Sequence, residues 1–377
     1  MIPDFDRLRR ECVSEGVAFP ANMFSPYRVE VSQLNASRMA RIIAAIERVA
    51  ALASYRESVL RWAPSIARHD PGIHGVFFGY DFHVSENGPK LIEINTNAGG
   101  GYLNILLMRA WGLETKHVEE AFFAMFMKEW RLKYGESAPG AIAIVDDDCE
   151  SQFLYPEFCL FRKLFLSRGI STVIVDAKSL EYRNGQLFHR DLKIDLVYNR
   201  LTDFSLEFHP ALRDAYLSGA VLLTPHPRAH ALYADKRNLS ILTDERCLRD
   251  FGLEEETIQI LLQGIAGTRI VERKNAEALW KNRRHLFFKP CAGYGAKAVY
   301  RGEKLTKRVW DEILANPYVS QEYVPPMELE AEGRILKYDY RNFAYQGEIQ
   351  LLSARLYQGQ ATNFRTEGGG FAPVSVV

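Results

Sequence analysis

The hydrophobic pattern changes period several times along the chain, and each change marks an element. Residues 35–67 repeat Ala, Leu, Ile and Arg at spacings of three and four, which predicts a helix with Asn35 or Ser37 as N-cap and Pro64 as its limit. Two short apolar stretches follow at 76–84 and 90–94, on either side of SENGP, whose Asn87-Gly88 is a hairpin-turn dipeptide. The second stretch runs straight into a polar, glycine-rich loop at 95–101. Helical spacing returns over 104–134, with Leu106, Leu107, Ala110, Val118, Ala121, Phe122, Met125 and Phe126 forming the apolar face.

A new unit starts after GESAPG. AIAIVDDD reads as a buried strand ending in three acids, residues 155–169 as a helix closing on glycine, and STVIVDA, KIDLVYNR and AVLLTPHP as further strands. Strands alternating with helical stretches predict a parallel α/β lobe at about 140–228. A helix at 236–243, a linker through Gly267, the short strand RIVER and a helix at 276–284 come next. The remainder is antiparallel in pattern: HLFFKPCAGYGAKAVY, YVSQEYV, and a hairpin of 339–345 with 348–356 around Gln346-Gly347. The GGGFAPV tail reads as a terminal loop.

At 377 residues the chain exceeds the roughly 100–200 residues of one domain, so two or three lobes are expected. Lys+Arg and Asp+Glu are equal at 47 each, which argues against nucleic acid or a membrane surface as the main partner. Five scattered cysteines without CxxC spacing read as reduced thiols. Charges at the N-terminus interrupt any signal-peptide core, and the longest apolar runs (141–145, 220–223) are strand-sized, so the expectation is a soluble, cytoplasmic protein.

Five constellations carry candidate chemistry. Asp81, Glu93 and Asn95 lie on the two strands of the first hairpin; Glu93 and Asn95 are two apart and share a face. Two carboxylates and an amide oxygen suit Mg²⁺, a hard ion taking oxygen ligands, although a polar hairpin surface has the same look. Lys289 leaves an apolar strand and enters a loop with Gly293 and Gly295, a way to lay a cation and backbone N–H groups over phosphates, or a structural glycine hairpin. Gln321 and Glu322 interrupt an apolar strand and either read a nucleoside or face solvent on an edge. Arg355, Asn363, Arg365 and Gly368–Gly370 suit anion binding or make a loose tail. Asp146, Asp147 and Asp148 at a strand end, with Arg200, mark where an α/β lobe places a ligand crevice for an amine or a carboxylate, or they are solvated loop residues.

Taken together, FFKPCAGYGAKAVYRGEKL…VSQEYV resembles the nucleotide lid and hinge of ATP-grasp enzymes, and YDFHVSENGPKLIEINTNAGG resembles that fold's magnesium strands. Here the magnesium strands precede the lid, an order similar to the circularly permuted ATP-grasp branch that includes glutathionylspermidine synthase, synthetase half only. The resemblance implies an α/β and α+β fold with a pre-ATP-grasp lobe. Residues 1–138 would carry N-terminal helices and the magnesium strands, 139–232 the pre-ATP-grasp lobe, and 233–377 the nucleotide and lid part.

It also implies roles. Lys236 and Lys289 would hold the α- and β-phosphates of ATP, Gly293 and Gly295 would form the lid, and Gln321, Glu322 and Val324 would line the adenine and ribose pocket. Asp81, Glu93 and Asn95 would hold Mg²⁺, with Arg341 and Arg355 stabilising the transferred phosphoryl group and a carboxylate substrate. Residues 291–297 are expected to be mobile without nucleotide and ordered with it. The implied activity is a carbon–nitrogen ligase acting on small-molecule or peptide carboxylate and amine substrates through an acyl phosphate, with oligomeric state open. One departure stands out: Gly79 occupies the position where many family members carry an arginine. Arg355 is the candidate to take that role. The departure also motivates a rival, a non-catalytic ATP-binding homologue; a second rival, a kinase-like transferase, keeps the fold and changes the acceptor.

Overall fold

The computed structural model describes residues 3–6, 8, 10, 19–20, 22–292 and 298–377. A seven-stranded sheet forms the centre, in the order Val29–Val31, Gly370–Val376, Glu348–Tyr357, Arg334–Tyr345, Phe78–Ser85, Gly88–Asn95. All neighbours are antiparallel except Val29–Val31, which runs parallel to Gly370–Val376. The long strand Arg334–Tyr345 divides its far edge between two partners: Met327–Ala331 pairs with its first half and Phe78–Ser85 with its second.

Period-two alternation gives this sheet one apolar and one polar face. Tyr80, Phe82, Leu91, Ile94, Tyr338, Tyr340, Ala354 and Leu356 pack on the helices Gln33–Ala50 and Glu255–Gly264. The two helices approach closely because Gly264 has no side chain: a Cβ there would lie 2.4 Å from Ile42 Cγ1. The opposite face carries Asp81, His83, Glu93, Asn95, Asp339, Arg341 and Arg355. A β-bulge makes this possible. Asp81 pairs with Glu93 but Phe82 with Leu91, so Ile92 is the extra residue. The bulge reverses the parity of the strand, letting Leu91 face the core while Glu93 and Asn95 face the other way.

A parallel sheet in the order Leu222–Thr224, Leu196–Asn199, Ala141–Asp146, Ser171–Asp176 forms the α/β lobe. A third, antiparallel sheet orders Thr268–Ile270, Tyr318–Glu322, Leu286–Pro290, Tyr300–Arg301. Among the described residues no helix is long and apolar enough to cross a membrane.

Several expectations change. The helix expected over 35–67 begins earlier, capped by Ser32 rather than Asn35 or Ser37, and breaks into Gln33–Ala50 and Ala53–Leu60. The helix expected over 104–134 is two, Gly101–Ala110 and Lys116–Tyr134, separated at Gly112 in left-handed conformation. KIDLVYNR splits between an unforeseen three-stranded antiparallel sheet (Leu180–Arg183, Gln186–His189, Leu192–Ile194) and the parallel sheet. The linker through Gly267 contains the helices Glu245–Asp250 and Glu255–Gly264; Asp244 caps the first by accepting from the Cys247 N–H. The tail is no loop: Gly370–Val376 lies between two strands of the central sheet.

Candidate functional site

The polar face of the central sheet forms one wall of a cavity of about 750 Å³, and the third sheet forms the facing wall. On the sheet face the charges alternate across neighbouring strands because Asp81 stands opposite both Glu93 and Arg341, and Asp339 opposite Arg355. Arg341 grips Asp81 with two hydrogen bonds, Nε to Oδ1 and Nη2 to Oδ2, both 2.7 Å. Arg355 Nη2 also donates to Asp81 Oδ2 at 2.9 Å, while its Nε and Nη2 donate to Asp339 at 2.8 and 2.9 Å. Asn95 Nδ2 completes the set on Asp81 Oδ2 at 3.0 Å, and Thr362 donates to Asp339 at 2.6 Å. Asp81 and Asp339 side chains are each 1% exposed, so the network is held in low dielectric, where removing one partner costs several kcal/mol.

Lysines close the other side. Lys236, immediately before the helix Arg237–Leu242, lies 3.0 Å from Glu93 Oε1. Lys289 donates to Gln321 Oε1 at 2.7 Å and to the Ile92 carbonyl at 3.1 Å. The bulge therefore does a second job: the extra residue offers its carbonyl to the incoming lysine. Burial disfavours the charge on Glu93, but Lys236 and Lys289 outweigh it and hold the carboxyl at about 2. Burial lowers the Lys289 ammonium to about 8 even with Glu93 beside it. Burial likewise opposes the charges of Arg355 and Asp339, yet each is kept ionised by the other.

The residues that the family resemblance assigned to phosphates, nucleoside, metal and phosphoryl group, where they fall within the described region, line this cavity directly: Asp81, Glu93, Asn95, Lys236, Lys289, Gln321, Glu322, Val324, Arg341 and Arg355. Gly293 and Gly295, and most of the expected lid at 291–297, lie outside the described residues. Gln321 is buried between Lys289 and Thr268, its Nε2 donating to Thr268 Oγ1 at 3.1 Å, so it orients the lysine. Glu322 is exposed at the rim, and the Val324 carbonyl meets the His83 ring Nδ1 at 2.7 Å. Asn363 and Arg365 do not line the cavity; Asn363 instead shapes its own turn, accepting from the Arg365 N–H.

Asp339, His83 and Thr362 are site residues that sequence reasoning missed. Asp339 and Arg341 are two apart in YDYRNF, the same spacing that singled out Glu93 and Asn95, and that signal was available. Gly79 has a steric explanation: a Cβ there would lie 2.6 Å from Ala98 Cβ and 3.3 Å from Arg341 Nε. Arg341, reaching across from the neighbouring strand, lies against the space a side chain at 79 would need.

The glycine-rich loop at 95–101 ends at the helix Gly101–Ala110, whose N-terminus is filled by the chain itself: Gly100 and Tyr102 N–H donate to the Glu157 carboxylate at 2.9 Å each. In the parallel lobe, His209 bridges Asp147 at 2.9 Å and Asp203 at 3.0 Å.

No protein-family model and no curated protein matches the chain by sequence. Solved structures do match it. A glutathione synthetase-like effector from Globodera pallida superposes with a TM-score of 0.60 at 13% identity, over 99% of this chain and 96% of its own. A putative gamma-glutamylcysteine synthetase from Methylobacillus flagellatus superposes with a TM-score of 0.53 at 10% identity, over 90% and 87%. At these identities the likeness is one of fold, a mixed α/β architecture shared with both proteins.

Proposed function

We propose that the chain is an ATP- and magnesium-dependent ligase that joins a carboxylate to an amine, built as a circularly permuted ATP-grasp core around a pre-ATP-grasp lobe at 139–232. One observation carries the reading. Two lysines, two arginines, two carboxylates and an amide, up to 274 residues apart in sequence, line a single cavity. The fold shared with a glutathione synthetase-like effector and a putative gamma-glutamylcysteine synthetase supports it.

Asp81 and Glu93, directly opposite on adjacent strands, with Asn95 two residues on, would hold Mg²⁺ through their oxygens once phosphates draw Arg341 and Arg355 off Asp81; the Glu93 carboxyl, lowered to about 2, is ionised at neutral pH. When bound, the ion supplies charge that neutralises phosphate oxygens. Lys236 and Lys289 hold the α- and β-phosphates, Arg341 and Arg355 face the transferring phosphoryl group, and Glu322 and Val324 border the nucleoside. Phosphoryl transfer asks the protein for positioning and electrostatics above all. A substrate carboxylate oxygen bonds to the γ-phosphorus as the bond to the β-bridging oxygen breaks, releasing ADP. The amine nitrogen then bonds to the acyl carbon, the carbon–oxygen bond to phosphate breaks, and the proton lost from the nitrogen leaves with the released phosphate. Gly293 and Gly295 would cover the site and keep water from the acyl phosphate.

Calorimetric titration with ATP, with and without Mg²⁺, tests the reading. Magnesium-dependent binding by the native chain that disappears in Glu93→Ala/Asn95→Ala supports it; absence of binding by the native chain removes it. Phosphate release that depends on an amine separates ligation from kinase-like transfer and from a non-catalytic homologue.

A further inference from the structure

His83 stands at the join between the cavity's two walls. It lies on Phe78–Ser85, two residues beyond Asp81 and on the same polar face. Its ring Nδ1 is 2.7 Å from the Val324 carbonyl, which only accepts, so Nδ1 carries a proton and donates. Val324 belongs to the short connection from Tyr318–Glu322 of the third sheet to Met327–Ala331 of the central one. The ring therefore ties the strand that carries Asp81 to the connection between the walls. Among the described residues the other ring nitrogen, Nε2, meets no partner. Unlike Arg301 Nε it is not an enclosed orphan; it opens on the cavity that His83 lines.

The two walls carry the same order of groups on either side of this ring. On the third sheet Phe287 and Lys289 are two apart on one strand and share a face, a separation of about 7 Å. The Phe287 ring lies 5.7 Å from that of Tyr323, inclined at 30°, and both line the cavity, which makes this end a flat surface of the kind a base stacks on. Lys289, at the other end, has Glu93 beside it. On the central sheet His83 meets Val324, the residue after Tyr323, and Asp81, about 7 Å further along the strand, stands opposite Glu93. His83 thus lies between a planar apolar end and an end that carries lysine and carboxylates. In a nucleotide, the group between the base and the phosphates is the sugar. Glu322, the other polar side chain expected at the nucleoside, is exposed at the rim, where its Oε2 accepts from the Gly267 N–H at 3.3 Å. A sugar hydroxyl both donates and accepts, so it can bond Nε2 whether or not that nitrogen is protonated.

We infer that His83 reads the sugar of the nucleotide: its Nε2 bonds a ribose hydroxyl while its Nδ1 holds the connection at Val324. The role rests on the ligase reading, and it makes the site a selector of ribonucleotides over deoxynucleotides.

Calorimetry on the full chain, comparing MgATP with the magnesium complexes of 2′-deoxy-ATP and 3′-deoxy-ATP, tests the role. The native chain should bind MgATP about tenfold more tightly than at least one of the two, because the missing hydroxyl leaves a buried nitrogen unpaired. Two substitutions separate the ring's nitrogens. His83→Asn keeps an N–H at the reach of Nδ1 and has nothing at the reach of Nε2; it should melt as the native chain does and bind the three nucleotides alike. His83→Gln has a polar atom at the reach of Nε2 and none at that of Nδ1; it should keep part of the preference at a lowered melting temperature. Equal binding of all three nucleotides by the native chain overturns the role and leaves the ligase reading standing, as does a preference that persists undiminished in His83→Asn. Binding of none of them by the native chain removes the ligase reading, and the role of His83 with it.

Discussion

Raising the pH from 7 to 9 takes the proton from Lys289 in the free protein, whose ammonium burial has lowered to about 8, and MgATP binding should weaken with it. In the free site Lys289 is held by an amide oxygen and a carbonyl at 2.7 and 3.1 Å, with Glu93 nearby as its charged neighbour. A bound triphosphate adds negative charge within contact distance and favours the protonated form. The proton lost above pH 8 must then be taken back on binding. At pH 9 about nine-tenths of the free protein carries a neutral Lys289, so the apparent Kd should rise about tenfold relative to pH 7. At pH 8 about half a proton should be taken up per nucleotide. Calorimetry in two buffers of different ionisation heat reads that uptake directly. Lys289→Met should bind weakly at every pH and show neither the slope nor the uptake. A wild-type Kd that stays flat between pH 7 and 9, without proton uptake, refutes the assignment of Lys289 to the phosphates.

Further outcomes follow from the same geometry. Glu93 titrates at about 2 in the fold and near 4.5 unfolded, so its charge stabilises the protein above pH 4.5 and that contribution fades as pH falls towards 2. Glu93→Gln should therefore lower the unfolding free energy at pH 7 by about 3 kcal/mol, with the gap narrowing by pH 3 in urea titrations. Asp339→Asn leaves Arg355 with Asp81 alone and should cost about 3–5 kcal/mol, visible as a lowered melting temperature; an unchanged melt would show that Asp339 does not hold the network. Gly264→Ala places a methyl 2.4 Å from Ile42 Cγ1 and should destabilise by about 1–3 kcal/mol, while Gly252→Ala, with nothing within 4 Å of its Cβ, tests strain from positive φ without a clash. Comparing their urea midpoints separates packing from backbone strain.

The hairpin around Asn87-Gly88, the parallel strands and the hairpin around Gln346-Gly347 were legible because period-two patterning and turn residues are local signals. The cavity residues were legible for a related reason, since charged side chains in otherwise apolar strands have few structural uses. What was not legible depends on distant partners. Nothing local announces the bulge at Ile92: Leu91, Glu93 and Asn95 alternate as if all three shared one face, and only the pairing with Asp81 and Phe82 puts Leu91 on the other. The tail strand is similar, because GGGFAPV becomes a strand only when Glu348–Tyr357 and Val29–Val31 flank it. The stretch after Thr243 lost its helices to the linker reading because it is short and charged, and its apolar residues find their use against Gln33–Ala50.

The internal pairing of the cavity's charges has a consequence for which solutes it admits. Lys236 leans on Glu93, Lys289 on an amide and a carbonyl, and Arg341 and Arg355 on two aspartates. A lone chloride, sulfate or phosphate that drew these cations away would strand the carboxylates, and a lone divalent ion would have to evict the arginines from Asp81. A solute carrying both signs can exchange partners with the whole set at once. On the proposed reading the resting cavity would work as a two-key lock, quiet towards single ions and responsive to an anion that arrives with its own metal.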